Sequence, residues 1–284
     1  MSLPPAAVGL SGRQAETLLL ADVGNSRIKL AVIADRGIDA GGSRIGLPTV
    51  RQRLEIDNRG LGTNLLRQWL AVAAPGPAVI LVASVHDAAA GVLEMALAEE
   101  SATGRRPLRQ RRIGFADLPC LPAVAEPHRV GIDRLAAGAA AAAVKPRDSG
   151  VIVVDCGTAA TVDLIAADGR FLGGAILPGP TLMARALAQG TSKLPEVRAL
   201  EHADPPAMPG GNTREAIAAG IGWGMRGAIA ELVARSRSAL GPSTPVLVTG
   251  GWSGAILPAL PGAIEMPDLV LVGIALAAER ALAR

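Results

Sequence analysis

Two short stretches of the chain end an apolar run with an aspartate that is followed, one residue later, by a glycine. LLLADVGNSRIK contains Asp22 and Gly24, and VIVVDCGTAA contains Asp155 and Gly157. Glycine permits the backbone angles of a tight turn, and the N–H groups of such a turn can bind an anion. One interpretation is a pair of ordinary hairpin turns with aspartate as the turn residue. The other is a pair of turns that hold a nucleotide phosphate and its metal ion.

The second stretch repeats the first. Asp22 aligns with Asp155, Gly24 with Gly157, Asn25 with Thr158 and Asp35 with Asp168, without a gap. In each copy a run of Val, Ile and Leu reaches Asp-x-Gly, and a second apolar run and an acidic turn follow, which predicts strand, turn, strand, turn, strand. A duplicated unit is therefore expected, with chance resemblance of two apolar hairpins as the alternative.

Alternating helices and strands are predicted around the two hairpins. The apolar periodicity predicts helices at 61–73, 88–100, 131–144, 179–189, 213–239 and 268–283, and further strands at 78–85, 108–113 and 245–250. The polar stretch KPRDSG, residues 145–150, reads as a boundary. We therefore expect an α/β protein of two halves, 17–145 and 150–284, with a cleft between them.

Composition argues against several classes of protein. Half of the 284 residues are apolar, the formal net charge is only +3, and two cysteines make neither a disulfide framework nor a zinc signature. No apolar run reaches the ~20 residues of a membrane span, and no cationic N-terminal segment leads into an apolar one, as a signal peptide requires. Five arginines in 104–112 have no aromatic partners for nucleic acid. A cytoplasmic protein that binds neither membrane nor nucleic acid is expected.

The motifs carry a family resemblance. DVGNSRIK (22–29) and DCGTAATVD (155–163) resemble the two phosphate motifs of the acetate and sugar kinase, Hsp70 and actin superfamily. The order of GIDR, GGAILPG, TSKLP, NTREAIAAG and TGG along the rest of the chain is similar to that of type III pantothenate kinases. The resemblance runs from about residue 18 to the C-terminus. It implies two RNase H-like (actin-like ATPase) domains related by duplication, with the nucleotide cleft between them.

The resemblance also implies an activity. Type III pantothenate kinases transfer the γ-phosphoryl group of ATP to the 4′-hydroxyl of pantothenate, the first step of coenzyme A synthesis. Mg²⁺, a monovalent cation such as K⁺ or NH₄⁺, and a homodimer are expected with it. Two other functions remain open from the residues alone: a nucleotide-binding regulatory protein of the same fold, similar to the Bvg accessory factors, and a kinase of a related small hydroxy acid.

Site residues follow from the same resemblance. It implies ATP contacts from Asp22, Val23, Gly24, Asn25, Ser26, Arg27, Ile28, Lys29, Gly157, Thr158, Gly250 and Gly251, and substrate contacts from Gly131, Ile132, Asp133, Arg134 and Thr213. Asp133 resembles the base that activates the hydroxyl, although an acid at a helix start is also favoured by the helix dipole. Arg134 suits the pantothenate carboxylate, because a guanidinium binds a carboxylate in bidentate fashion; a surface salt bridge is its alternative.

The two aspartates of the turns are the expected ligands of the ions. Asp22 suits Mg²⁺ held through water, since Mg²⁺ keeps several waters and uses few carboxylates, and by resemblance Asp155 carries the monovalent cation. Lys29 reaches a phosphate only if the chain turns back at Gly24; otherwise it is a solvated strand end. Thr213, which the resemblance places by the partner subunit's substrate, competes with Asn212 for a helix N-cap.

The sequence departs from the family pattern at two positions. A tyrosine is common where this chain has Val124, and a tryptophan is frequent where it has Leu135. Both changes remove polar or aromatic groups from the expected substrate pocket, so they bear on pocket shape and activity. Ser26 replaces a threonine and keeps its hydroxyl.

Overall fold

The computed structural model describes residues 7–8, 16–35, 46–198 and 207–283. They form two compact units, each of which is described by itself. The first unit takes the described residues of Met1–Leu121, Ala125–Val144 and Leu269–Arg284, and the second takes Pro122–Val124 and Lys145–Asp268. The C-terminal residues, which the sequence placed in the second half, thus belong to the first unit.

The helices and strands fall close to their predicted positions, except that the single helix predicted at 268–283 is two helices in the structure. In chain order the strands are β1 (Ala7–Val8), β2 (Glu16–Val23), β3 (Arg27–Asp35), β4 (Thr49–Asp57), β5 (Ala78–Ser84), β6 (Leu108–Arg112), β7 (Val151–Cys156), β8 (Ala159–Ile165), β9 (Phe171–Pro178), β10 (Val246–Gly250) and β11 (Ile264–Glu265). The helices are α1 (Thr63–Ala73), α2 (Asp87–Ala102), α3 (Ile132–Val144), α4 (Pro180–Gly190), α5 (Thr213–Leu240), α6 (Ser253–Ile256), α7 (Leu269–Leu276) and α8 (Ala278–Ala283).

Both units are built on a sheet of the same topology. The first sheet has the order β4-β3-β2-β5-β6, with β1 on the start of β2, and the second has the order β9-β8-β7-β10-β11. In each, the first three long strands pair antiparallel, and the last two run parallel to the first. The prediction of an α/β protein of two RNase H-like domains related by duplication is confirmed.

The two hairpins differ by one residue, which corrects the gapless alignment. Val23 pairs with Ile28 around the first turn, whereas Cys156 pairs with Ala160 around the second. The second turn is therefore one residue shorter. The copies correspond up to the turns and are offset beyond them, so Asp35 and Asp168 are not equivalent positions.

Strand β2 is apolar along its length because helices cover both faces of the first sheet. Leu19, Ala21 and Val23 belong to a core that also contains residues of α1 and α2. The alternate residues of β2 point to the other face, where α7 packs on β2 and β5, and α3 on β5. Asp22 lies on this second face, and it is buried, with 8% of its surface exposed.

Helix α5 forms much of the second core. It is long and apolar enough to cross a membrane by length and composition alone. However, Ile221, Met225 and Ile229 pack with Val154 and Val248 of the second sheet, so it serves as a core helix. A buried core helix of a soluble protein passes the same test of length and composition.

Helices α3 and α7 pack closely because small residues meet at their contact. A Cβ added at Gly273 of α7 would lie 1.8 Å from the carbonyl oxygen of Ala136 in α3. The contact places α7 against the helix that begins with the GIDR motif. This close approach explains why the C-terminal residues complete the first unit.

We expect Gly273→Ala to destabilise the protein by about 1–3 kcal/mol, the usual cost of overpacking a core. Gly91→Ala in α2 is a matched control, since no atom lies within 4 Å of its added Cβ. This control should gain about 0.5–1 kcal/mol because alanine favours a helix interior. Chemical denaturation of both variants measures the difference, and equal stabilities would contradict the close packing.

Candidate functional site

The first turn, between β2 and β3, is held from outside by Asn58, which directly follows β4. The side-chain amide of Asn58 donates to the carbonyl oxygens of Gly24 at 3.2 Å and Asn25 at 2.6 Å. The N–H of Asn58 donates to the carbonyl oxygen of Ser26 at 3.1 Å. The N–H of Gly24 was expected to bind a phosphate, but it donates to the carbonyl oxygen of Arg27 at 2.9 Å within the hairpin. The amide groups of this turn that suit a phosphate are those beyond Gly24.

The turn brings Lys29 back to Asp22. The two residues are direct partners across β2 and β3, a position at which Cβ atoms lie about 4.5–5.5 Å apart on one face of the sheet. Lys29 is half-buried, whereas Asn25, Ser26 and Arg27 at the turn are exposed. The hairpin thus fulfils the condition under which Lys29 was expected to reach a phosphate.

Asp133 lies at the same end of the first sheet. Its motif packs beside β5, since a Cβ at Gly131 would lie 3.6 Å from Val85 Cγ1, and the N–H of Val85 donates to Val23 at 3.1 Å. The same Cβ would lie 2.5 Å from Asp133 Oδ1, so glycine at position 131 leaves room for the carboxylate. The sheet end therefore holds Asp22, Lys29 and Asp133 together.

The environment of Asp133 favours a protonated carboxyl more than water does. Burial raises the pKa of the Asp133 carboxyl above its ordinary value, against the opposing effects of the Arg134 N–H bond and the charges of Arg134 and Lys29. Its Oδ1 accepts the N–H of Arg134 at 2.8 Å. A carboxylate with a raised pKa is a stronger base than an exposed one. Arg134 itself is half-buried in the first turn of α3.

The second turn, between β7 and β8, is also held from outside. The indole N–H of Trp252 donates to the carbonyl oxygen of Gly157 at 2.8 Å. The N–H of Gly179 donates to the carbonyl oxygen of Thr158 at 3.0 Å. The N–H of Gly157 donates to Ala159 within the hairpin at 3.1 Å. As in the first turn, the N–H of the glycine is used within the hairpin.

The two glycines after β10 have different roles. Gly250 has a φ of +100°, and a Cβ there would lie 2.4 Å from the backbone of Cys156, so only glycine fits this approach of β10 to β7. An added Cβ at Gly251 has no atom within 4 Å. Gly250 therefore fixes the strand pairing, whereas the space beside Gly251 is open.

Asp155 lies between two threonines. It pairs with Thr161 of β8 on one side and with Thr249 of β10 on the other. The adjacent Cys156 is fully buried. Burial raises the pKa of the Cys156 thiol, and the charges of Asp155 and Glu265 raise it further. Cys156 is therefore a protonated packing residue rather than a nucleophile.

Each expected ion site has a single carboxylate rather than a cluster of protein ligands. Within the residues that the structure describes, no group of three or more His, Cys, Asp or Glu side chains is placed to hold a metal ion. Mg²⁺ bound in kinase sites uses one or two carboxylates together with waters and substrate phosphates. Asp22 at the first turn fits this kind of donor set.

Other predicted positions take ordinary structural roles. Asn212, not Thr213, caps α5, because its side chain accepts the N–H of Glu215 at 3.0 Å; Thr213 is the exposed first residue of the helix. Leu135 is fully buried, and Val124 lies against Gly173.

Ion pairs account for most of the arginines in 104–112. The pairs are Arg106–Glu100, Arg109–Glu16, Arg111–Asp117 and Arg112–Glu94. Their positive charge is thus largely balanced by nearby carboxylates of the same unit.

Asn58 and Trp252 were not found from the sequence. Their contacts to the turns span 33 and 95 residues of chain, respectively, so no local pattern reveals them. The available indications were weak: Asn58 follows the third strand of the repeated unit, and Trp252 follows the TGG motif. Only the folded chain shows what these side chains contact.

The chain is similar to known proteins over most of its length. A family model described as type III pantothenate kinase matches residues 18–235, which include both hairpins and the start of α3. The chain is similar to a type III pantothenate kinase of Halorhodospira halophila, with 36% identity over 90% of this chain and 95% of that protein. It is similar to another from Thermomicrobium roseum, with 34% identity over 93% and 97% of the two chains.

A solved structure shares the fold. A Baf family protein of Campylobacter jejuni has a TM-score of 0.54 and 19% sequence identity, over 94% of this chain and 100% of that chain. At this identity the likeness concerns the fold alone. The family follows from the match to residues 18–235 and from the two relatives, which span nearly the whole chain. The chain belongs to the type III pantothenate kinase family.

Proposed function

We propose that this protein transfers the γ-phosphoryl group of ATP to the 4′-hydroxyl of pantothenate, the first step of coenzyme A biosynthesis. Family membership supports the reaction. The observation that carries the mechanism is the placement of Asp133 at the sheet end that also holds Asp22 and Lys29. A pure binding protein has no need of a base at that point.

The two turns would bind the phosphates of ATP. Phosphoryl transfer depends mainly on positioning and charge neutralisation, and exposed turn amides can supply both. In the first turn the segment from Asp22 to Lys29 would serve, with Val23 and Ile28 as buried supports. In the second turn Gly157 and Thr158 would serve, and Gly250 and Gly251 would border the adenosine.

Asp133 would act as the base. The 4′-hydroxyl oxygen of pantothenate attacks the γ-phosphorus, its proton passes to the Asp133 carboxylate, and ADP leaves. Arg134, next in the chain, would pair with the pantothenate carboxylate. Gly131 and Ile132 would border the substrate, and Gly131 leaves the space that the Asp133 carboxylate occupies.

Asp22 and Asp155 would hold the two ions. Asp22 would bind Mg²⁺ through water, and the bound ion supplies positive charge against the phosphates. Asp155 would anchor a monovalent cation, K⁺ or NH₄⁺. Its partners on the neighbouring strands are Thr161 and Thr249, and the Thr161 hydroxyl donates to Asp163 Oδ2 at 2.9 Å.

The cation proposal predicts a dependence on the salt. Replacing K⁺ by Na⁺ at constant ionic strength should lower the rate strongly, because the smaller ion fits the same oxygen ligands less well. Steady-state rates with Mg²⁺ and ATP held constant measure the effect. Equal rates in the two salts would argue against a K⁺ site at Asp155.

A homodimer is proposed as well, with Thr213 near the partner's substrate. Exposed large apolar side chains in the second unit support an interface: Ile176 of β9 is 63% exposed and Trp223 of α5 is 44% exposed. Sedimentation at micromolar concentration should give about twice the chain mass of 28.7 kDa. A species at the chain mass would contradict the dimer.

The reaction itself is tested by ADP release. Purified protein with Mg²⁺, K⁺ and ATP should release ADP at a rate that depends on pantothenate. A small panel of related hydroxy acids, assayed in parallel, measures substrate preference. No release above the control without pantothenate would refute the kinase; ATP binding that persisted in calorimetry would then favour a regulatory role.

Asp133→Asn gives the sharpest test of the mechanism. The amide keeps the size and the Oδ1 acceptor of Asp133 but cannot accept the proton as a base, so kcat should fall by about 10²–10⁴. This loss corresponds to about 2.7–5.4 kcal/mol of barrier at 1.36 kcal/mol per decade. ATP affinity should change little, because the proposed nucleotide contacts lie elsewhere.

Asp87→Asn is the matched control, because Asp87 is also an acid in the first turn of a helix. If Asp133 acts only at a helix start, both variants lose on the order of 1 kcal/mol of stability and keep their kcat. Measuring kcat, ATP affinity and thermal midpoint on both separates the alternatives. A folded Asp133→Asn protein with kcat within about threefold of wild type would rule out the base.

A further inference from the structure

The carbonyl oxygens of Gly24, Asn25 and Ser26 in the first turn all accept hydrogen bonds from the same residue. Asn58 binds those of Gly24 and Asn25 through its side chain and that of Ser26 through its backbone N–H. In a planar trans peptide the carbonyl of one residue and the N–H of the next point to opposite sides. The N–H groups of Asn25 and Ser26 are therefore directed away from Asn58, toward the opposite side of the turn.

The second turn has the same arrangement with different donors. Trp252 Nε1 binds the carbonyl oxygen of Gly157 at 2.8 Å, so the N–H of Thr158 is directed to the other side. The backbone of Trp252 reinforces this contact, since its N–H donates to Cys156 at 3.4 Å. The left-handed conformation of Gly250 brings β10 against Cys156 and so places Trp252 beside the turn.

Fixing the carbonyls matters because a turn peptide can otherwise rotate. If the plane of a peptide group flipped over, its carbonyl oxygen would replace its N–H donor at the ligand, and a carbonyl oxygen repels a phosphate. A turn whose N–H groups already face the ligand is an anion site that needs no rearrangement. Neither Asn58 nor Trp252 needs to touch the ligand for this effect.

We propose that Asn58 and Trp252 are positioning residues, each of which holds the turn of its own unit with N–H groups directed at a phosphate group. The proposal rests on the nucleotide binding of the proposed function and assigns roles to two residues outside the family's motifs. Its consequence is specific: loss of either donor weakens contacts to phosphate and leaves contacts to the nucleoside unchanged.

The test uses variants that remove the donor and little else. Trp252→Phe keeps an aromatic ring without the indole N–H, and Trp69→Phe in α1 is its matched control. Asn58→Ala removes the side-chain amide, and the exposed Asn64→Ala is its control. Calorimetry with the full chain measures affinity for ATP and, separately, for adenosine, which has no phosphate. Thermal midpoints record any loss of stability.

We expect ATP affinity to fall about 3- to 10-fold for Trp252→Phe, as for the loss of one buried hydrogen bond, and about 10-fold or more for Asn58→Ala, which loses two. Adenosine affinity should stay within about twofold. The kcat at saturating ATP should remain close to that of wild type, whereas KM for ATP rises.

The outcomes separate this inference from the proposed function. Unchanged ATP affinity in both variants, or equal losses for ATP and adenosine, would overturn the positioning role while the kinase stands. Wild-type protein that binds ATP but shows no pantothenate-dependent ADP release would refute the kinase, and the variants would still decide the positioning role. Wild-type protein that binds no ATP would overturn both.

Discussion

The antiparallel pairing of β2 with β3 is the constraint on which the first half of the site depends. A tight turn at Gly24 sets a register in which Lys29 lies opposite Asp22, so an acid and a base seven residues apart in sequence become neighbours. The parallel addition of β5 then brings Val85, and with it the GIDR segment, to the same end of the sheet.

The same design recurs in the second unit with one residue fewer in the turn. Asp155 takes the place of Asp22, but its cross-strand partner is Thr161 rather than a lysine. In one copy the aspartate therefore lies opposite a lysine, and in the other it lies opposite a threonine. Duplication followed by this divergence gives two hairpins of related topology and different charge.

The sequence predicts the elements well and their contacts poorly. Apolar periodicity places α5 and β5 within a residue or so of their observed bounds, because burial on one or both faces imposes that pattern. Apolar periodicity did not predict the turn lengths, because the gapless alignment concealed that the second turn is one residue shorter than the first. Asn212 and Thr213 are both good N-cap residues for α5, and only the observed hydrogen bond from the Glu215 N–H to Asn212 decides between them. The partnership of Trp252 with Gly157 depends on strand order, which periodicity does not encode.

The return of the C-terminal residues to the first unit has a consequence for how the chain folds as it is made. Domains usually fold in order of synthesis, the N-terminal one first. Here the second unit, apart from Pro122–Val124, is one continuous segment, Lys145–Asp268, and α7 is made after it. Until α7 has been made, the parts of α3, β2 and β5 that it contacts remain uncovered in the first unit.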